Sequence, residues 1–300
     1  MMLTSVTAGF KEDVTTPWDA DDVGSGRIDL ACRIERAGSP IWIERGGFDG
    51  GDALLASPAG WAGATVCGTL LVSFPGLAGQ AAGLLEACRR QAKPPRFVFT
   101  SSVAVFGGEL PEVLDDGTTP NPQGSYGAQK VICEYLVTDY SRKGYIDGRS
   151  LRLPTISVRP GKPNKAASGF FSGIIREPLN GVDTVCPVTS DMHLLLMSPR
   201  QAVECMIWAH DLGAEAFGQT HVINLPGVTV TVGEMVEVLG KIAGLSATRK
   251  IHWEADPAVQ RIIGTWPTRW DARRAHMLGF KGDHDFESIV RAFIKDDLVG

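Results

Sequence analysis

Two hydroxyls and an amine stand where they could move a proton. Tyr126-Gly-Ala-Gln-Lys130 is a Tyr-x-x-x-Lys pattern, and on a helix that spacing puts both side chains on one face. A free tyrosine, with a pKa near 10, is a poor base at neutral pH. An ammonium beside it stabilises the phenolate, and a positively charged ring nearby would add to the effect. Alone, the pattern equally describes a solvated helix face. The second hydroxyl is Ser102, which follows the apolar run Arg96 to Thr100. Ligands of open α/β sheets bind at the carboxyl ends of strands. Ser102 is therefore placed to hydrogen-bond the same substrate oxygen that Tyr126 deprotonates. The bland alternative is a strand-end hydroxyl capping a turn, and Ser101 reads as such a backbone or cap residue.

The surrounding elements must hold these groups together. Leu84, Leu85 and Cys88 give helical spacing over Gly83–Gln91, stopped by Pro94-Pro95. Arg96–Thr100 reads as a buried parallel strand. A Gly-, Pro- and Asp-rich loop over 107–124 precedes a helix over Tyr126–Tyr140, with Val131, Tyr135, Leu136 and Tyr140 on one face. Ser150–Val158 is the next strand. Strand, helix, strand predicts an α/β fold with a Rossmann-type doubly wound parallel sheet. Further on, helices are expected over Ala166–Glu177, Pro199–Leu212, Thr231–Ala243, Asp271–Leu278 and Phe286–Asp297, with apolar strands at Leu194–Met197 and His221–Leu225. Thr231 with Glu234 forms a capping box, and Asp271 is a candidate cap. Residues 1–165 are expected to form a dinucleotide-binding core, atypical over 1–78. Residues 166–300 are expected to form a smaller substrate-binding lobe with segments returning to the core.

Bulk composition narrows the class. A net charge of −5 offers no basic footprint for nucleic acid. The six cysteines form no Cys-x-x-Cys pair, so no metal site is expected, and buried, reduced thiols in a cytoplasmic protein fit best. No charged residue occurs between Ala53 and Leu85. Repeated Gly and Pro break that stretch, so a buried strand over Thr65–Phe74 is a better reading than a membrane span.

The string Thr100-Ser101-Ser102-Val103-Ala104-Val105-Phe106-Gly107, followed by the Tyr-x-x-x-Lys, resembles the extended short-chain dehydrogenase/reductase family, that of the NAD-dependent epimerases and dehydratases. Ser150–Ser168, Asn224–Met235 and Asp271–Phe280 are similar to one subgroup, the D-erythronate dehydrogenases. The resemblance implies a catalytic triad of Ser102, Tyr126 and Lys130. It also implies NAD held by Tyr126 and Lys130, with the backbone of Pro154 and Thr155 against the nicotinamide. The implied reaction is oxidation of the 2-hydroxyl of a four-carbon sugar acid, D-erythronate to 2-dehydro-D-erythronate. The alternatives are a nucleotide-sugar epimerase or dehydratase, or a catalytically impaired relative serving as a binding module. The expected partners are a small sugar acid, held by Ser102 and Tyr126, and a second copy in a homodimer, with no membrane. A substrate carboxylate calls for a cationic or amide partner, and Asn164, Lys165 and Arg176 are candidates that could each be simply solvated. His193 stands where the family usually shows a phosphate-pairing arginine, and it reads as structural. Trp253, Trp266 and Trp270 read as core or lobe contacts.

One part of the family pattern is missing. A Gly-x-x-Gly-x-x-Gly turn should lead from the first strand into a helix and receive the pyrophosphate, yet that spacing occurs nowhere in the chain. Thr7–Phe10 is a fragment followed by acidic residues. Gly46–Gly51 has the wrong spacing and carries Asp49, with Glu44 nearby. Ser102 also lies too near the start to leave room for the turn. Residues 1–78 are therefore expected not to be the family's native first segment, as a frame change or a wrong start in the coding sequence would produce.

Overall fold

The computed structural model describes residues 32–36, 39–43, 66–68, 77–161 and 169–298. β1 (Cys32–Arg36) and β2 (Ser39–Ile43) pair as an antiparallel hairpin. Next come β3 (Val66–Gly68), α1 (Leu77–Arg89), β4 (Arg96–Ser102) and a 3-10 turn over Val103–Val105. α2 (Ser125–Arg142), β5 (Asp147–Leu153) and the two-residue β6 (Thr155–Ile156) follow. The rest of the chain runs α3 (Phe170–Leu179), β7 (Thr184–Cys186), β8 (His193–Met197), α4 (Pro199–Asp211), β9 (Val222–Asn224), β10 (Val228–Thr231) and α5 (Val232–Ala243). It closes with α6 (Leu245–Thr248), β11 (Ile251–Trp253), α7 (Pro257–Ile263), α8 (Arg273–Met277) and α9 (Phe286–Asp296).

β3, β4, β5 and β9 form a parallel sheet in that order. Alternate side chains of β4 serve opposite layers, as period two requires. Phe97 and Phe99 pack with Leu77, Ala81, Leu85 and Cys88 of α1 and with Cys133 and Val137 of α2. Val98 packs the other way, with Leu151, Ile223 and the α4 residues Ala202, Cys205 and Ala209. Helices cover both faces, which is why this strand is nearly continuously apolar rather than alternating. The architecture is Rossmann-type α/β. A second group, β10-β8-β6 and the parallel pair β11-β7, packs with α3, α5 and α9 around Phe171, Ile174, Leu196, Met235 and Phe293. β9 belongs to the large sheet although in sequence it lies between β8 and β10 of that second group.

Local chemistry explains the element ends. Ser198 accepts from the Gln201 amide with Pro199 in the first turn of α4. At the other end of α4, Arg96 and Arg149 both donate to the His210 carbonyl, setting two cations at the negative end of the helix. The Thr231–Glu234 capping box is formed. Asp271 lies one residue before the Ala272 cap position of α8 and accepts from the Arg273 amide. The strand expected over Ser150–Val158 is two strands. Pro154 has no N–H for the ladder, so β5 stops at Leu153 and β6 pairs with β8 instead. The helix expected over Ala166–Glu177 is described from Phe170 and continues through Pro178, which sits in its last turn.

α2 shows another difference. Tyr135, expected on its buried face, is 67% exposed. The inward residues are Gly127, Lys130, Cys133, Glu134 and Val137. Two charged residues point inward because each has a partner there, which a reading by apolar periodicity misses. Trp266 packs edge-on to Phe171, and buried Trp270 donates to the Leu225 carbonyl, but Trp253 is largely exposed rather than core. Cys88, Cys133, Cys186 and Cys205 are buried free thiols, as expected, and burial raises their pKa values. Among the described residues no helix is long and apolar enough to cross a membrane. Of the strand expected over Thr65–Phe74, residues 66–68 are described and are strand.

Candidate active site

β4 delivers Ser102 to the carboxyl edge of the sheet. Its backbone is extended, and its hydroxyl accepts the Ala104 amide at 3.2 Å, capping the 3-10 turn. Register places Ser102 opposite Leu153, so Pro154 and Thr155 leave the same edge on the neighbouring strand. Pro154 is buried and packs close to Gly227. The loop over 107–124 then returns the chain so that α2 starts beside the 3-10 turn, with Tyr126 and Lys130 one helical turn apart.

Gly127 is what lets α2 come this close. A Cβ there would overlap the backbone carbonyl of Ala104 and lie 2.9 Å from the Pro122 Cβ. The obstacle is backbone, so it cannot rotate away. We expect Gly127→Ala to push α2 off the turn that follows Ser102 and cost about 1–3 kcal/mol, read as a lower urea midpoint. An unchanged midpoint would show that the contact is not limiting.

Lys130 is 1% exposed. Its ammonium donates to the Thr100 carbonyl at 2.6 Å and lies over the rings of Phe99 at 4.7 Å and Tyr126 at 5.5 Å from their centroids. Burial pulls its pKa down to about 8, against the opposing charges of Cys133 and Glu134. Tyr126 is 36% exposed. Burial raises the phenol pKa above its ordinary value, while a hydrogen bond with the Ser102 side chain and the charge of Arg159 oppose the rise. Ser102 and Tyr126, 24 positions apart, thus meet at their hydroxyls, with Lys130 behind the ring. Arg159 escaped the sequence reading. Only its place just beyond the Pro154–Thr155 edge hinted at it.

Behind these three residues lies a buried polar network. Arg152 donates twice to the Glu134 carboxylate, at 2.8 and 2.7 Å. Ser101 donates to the same carboxylate at 2.5 Å, a role beyond the expected cap. Arg152 also donates to Asn224 at 3.4 Å and lies over the Phe106 ring at 4.8 Å. Glu134 is one turn beyond Lys130, Ser101 precedes Ser102, and Arg152 is two residues before Pro154. The network therefore ties together the three segments that carry the site.

The candidate carboxylate partners fare differently. Asn164 and Lys165 lie outside the described residues. Arg176 is buried, with one guanidinium nitrogen on the Glu177 carboxylate at 2.6 Å and another on the Arg159 carbonyl at 2.7 Å. It lines a cleft of about 350 Å³ with Pro160, Gly161 and Phe293. His193 is exposed at the start of β8. Among the described residues no cluster of His, Cys, Asp and Glu is arranged to hold a metal.

For a dinucleotide cofactor the fit is divided. Tyr126, Lys130 and the Pro154–Thr155 edge suit a nicotinamide riboside. No described strand–turn–helix offers glycine-rich backbone to a pyrophosphate, and β3 ends the parallel sheet on the side away from β9.

The fold is Rossmann-type α/β, with the Ser102 and Tyr126 hydroxyls together at the carboxyl ends of its parallel strands. Residues 79–220 match the NAD dependent epimerase/dehydratase family. The chain is 53% identical over 213 residues to a D-erythronate dehydrogenase of Cupriavidus necator, covering 71% of this chain and 66% of that protein. It is 47% identical over 215 residues to one of Haemophilus influenzae, covering 72% and 68%. A solved nucleoside-diphosphate-sugar epimerase from Agrobacterium tumefaciens superposes with a TM-score of 0.69 at 44% identity, covering 72% of this chain and 64% of that one. The chain belongs to the NAD-dependent epimerase/dehydratase family, and it spans about two thirds of the length of these relatives. Residues 18–120 also match a different family, the UreD urease accessory proteins. The stretch ahead of Gly79, which the epimerase match leaves out, thus resembles another family, in keeping with an atypical first segment.

Proposed function

We propose that the chain carries the catalytic half of an NAD-dependent dehydrogenase that oxidises the 2-hydroxyl of a four-carbon sugar acid, D-erythronate, to 2-dehydro-D-erythronate. The observation that carries this reading is the meeting of the Ser102 and Tyr126 hydroxyls above buried Lys130. The two relatives named as D-erythronate dehydrogenases supply the substrate. Tyr126, as phenolate, accepts the hydroxyl proton. Ser102 donates a hydrogen bond to the same oxygen as it becomes a carbonyl. Lys130 holds positive charge behind the ring and, with Tyr126, orients the cofactor ribose. NAD, when bound, supplies the hydride acceptor. Residues up to about 165 serve as the cofactor core and the remainder as the substrate lobe, in a cytoplasmic homodimer.

Burial raises the Tyr126 phenol pKa, and a cationic ring beside it would favour the phenolate. The test uses a version in which residues 1–78 are replaced by the first segment of the Cupriavidus necator relative. NADH formation is followed over a panel of four-carbon sugar acids and nucleotide sugars. D-Erythronate is expected to be oxidised, and Tyr126→Phe to lower turnover by about 10²–10⁴-fold. Turnover of a nucleotide sugar without net NADH would favour the epimerase alternative. No turnover of either would favour an impaired relative.

A further inference from the structure

We propose that Trp270 is a positioning residue for Ser102 and Tyr126: it fastens the turn that follows Ser102 and the loop that leads to Tyr126, and so keeps the two hydroxyls together. This rests on the reading of that pair given above and adds to it a residue from far along the chain. Val103, Val105 and Phe106 follow Ser102 directly, and they are buried in a cluster with Leu114, Leu195 and Trp270. Val131, next to Lys130 on α2, packs against the same cluster. The cluster therefore touches the segments that carry both hydroxyls. Ser102 has its backbone fixed by β4, but its hydroxyl caps the turn through the Ala104 amide at 3.2 Å. The hydroxyl thus follows the turn wherever the cluster sets it.

Trp270 acts through its ring, its indole nitrogen and its backbone. The ring meets Phe106 edge-on, with centroids 6.3 Å apart, and the Arg152 guanidinium lies over the same Phe106 ring at 4.8 Å. A buried indole N–H needs an acceptor. Here it donates to the Leu225 carbonyl at 2.7 Å, and the Leu225 amide donates to the Arg152 carbonyl at 3.0 Å. The indole is thereby tied to β5 and its ring cannot turn freely. The backbone beside it receives the loop. The Leu114 amide donates to the Arg269 carbonyl at 3.1 Å, and the Asp271 amide donates to the Leu114 carbonyl at 2.6 Å, so Leu114 bridges Trp270. The loop over 107–124 is closed at its neck, where Gly107 and Gly108 lie against Asn121 and Gln123. Such a loop packs as one compact piece, so docking Leu114 sets where α2 begins. The Arg269–Glu112 pair beside the bridge is exposed and 3.9 Å apart, so it adds little.

The test is carbon NMR of the full chain without cofactor, labelled at the tyrosine Cζ atoms. The chain has four tyrosines, and Tyr126→Phe identifies the Tyr126 resonance. Ser102→Ala is expected to shift that resonance, because the phenol loses its hydrogen bond with Ser102. In Trp270→Leu the same Ser102 change should shift it much less, which is the lost coupling that a double-mutant cycle reads. A role in stability alone would leave the shift intact, since the resonance comes from the folded molecules. Trp270→Phe, which keeps a ring on Phe106 without the indole hydrogen bond, should restore part of the shift. Leu114→Ala, which leaves the indole in place and loosens the loop, should reduce it and guards against misfolding of Trp270→Leu. An equal Ser102 shift in every background would overturn the positioning role and leave the paired hydroxyls standing. No shift on Ser102→Ala in the wild type would mean that the hydroxyls do not meet, and would overturn both.

Discussion

Titrated with NAD, this chain is expected to bind it about 10²–10⁴-fold more weakly than the same chain with residues 1–78 exchanged for the first segment of its Cupriavidus necator relative. A pyrophosphate is held by several backbone N–H donors at a glycine-rich strand–helix turn. Each hydrogen bond to a charged group contributes about 1.5–3 kcal/mol, so losing two of them already gives a loss of that size. The sequence has no Gly-x-x-Gly-x-x-Gly, and its early residues match an unrelated family. Comparable affinity in the two proteins would mean that some other part of this chain holds the phosphates. A rescued exchange protein would also separate the two halves of the family's task, since the proposed triad of Ser102, Tyr126 and Lys130 lies wholly beyond residue 78.

Glu134→Ala is expected to cost about 3–5 kcal/mol of unfolding free energy, because it strands the buried Arg152 guanidinium. Ser101 loses its acceptor in the same change. Replacing both ionic partners by apolar residues, Glu134→Leu with Arg152→Met, should recover most of that loss, since neither buried charge is then left alone. Urea unfolding of the wild type and the two variants gives the comparison. A loss under about 1 kcal/mol for Glu134→Ala would mean that water reaches Arg152 and that the network does not brace the site. Lys130 responds to the same change. Glu134 is among the charges that oppose the burial-driven fall of its pKa, so the variant should lower that pKa further.

What was legible in the sequence was local. The Tyr126–Lys130 spacing, the strand running into Ser102 and the Thr231–Glu234 cap each depend on residues a few positions apart, and a helix or strand period carries that information. The α/β class followed from the alternation of such segments. The missing glycine turn was visible too, because the backbone approach it allows needs particular residues at fixed spacing. Other features depended on which elements meet. Helical spacing sets Tyr135 on one face with Val131, Leu136 and Tyr140, and it faces out. Lys130 and Glu134 face in because Thr100, Ser101 and Arg152 supply partners from two strands. Gly127 reads as an ordinary helical glycine until the Ala104 carbonyl is set against it. Pro154 ended one strand and began another only because β8 lay ready to pair with β6.

The sequence by itself therefore picked out Ser102, Tyr126 and Lys130 as the groups proposed to react, and the lack of Gly-x-x-Gly-x-x-Gly spacing, since both are matters of residue type and short spacing. The tertiary structure alone decided that Lys130 is buried against the Tyr126 ring and the Thr100 carbonyl, and that Arg152 and Ser101 meet on the Glu134 carboxylate behind them. The physical reason is that burial and charge act through space. They join residues from β4, α2 and β5, whose distance along the chain says nothing of their distance in the fold.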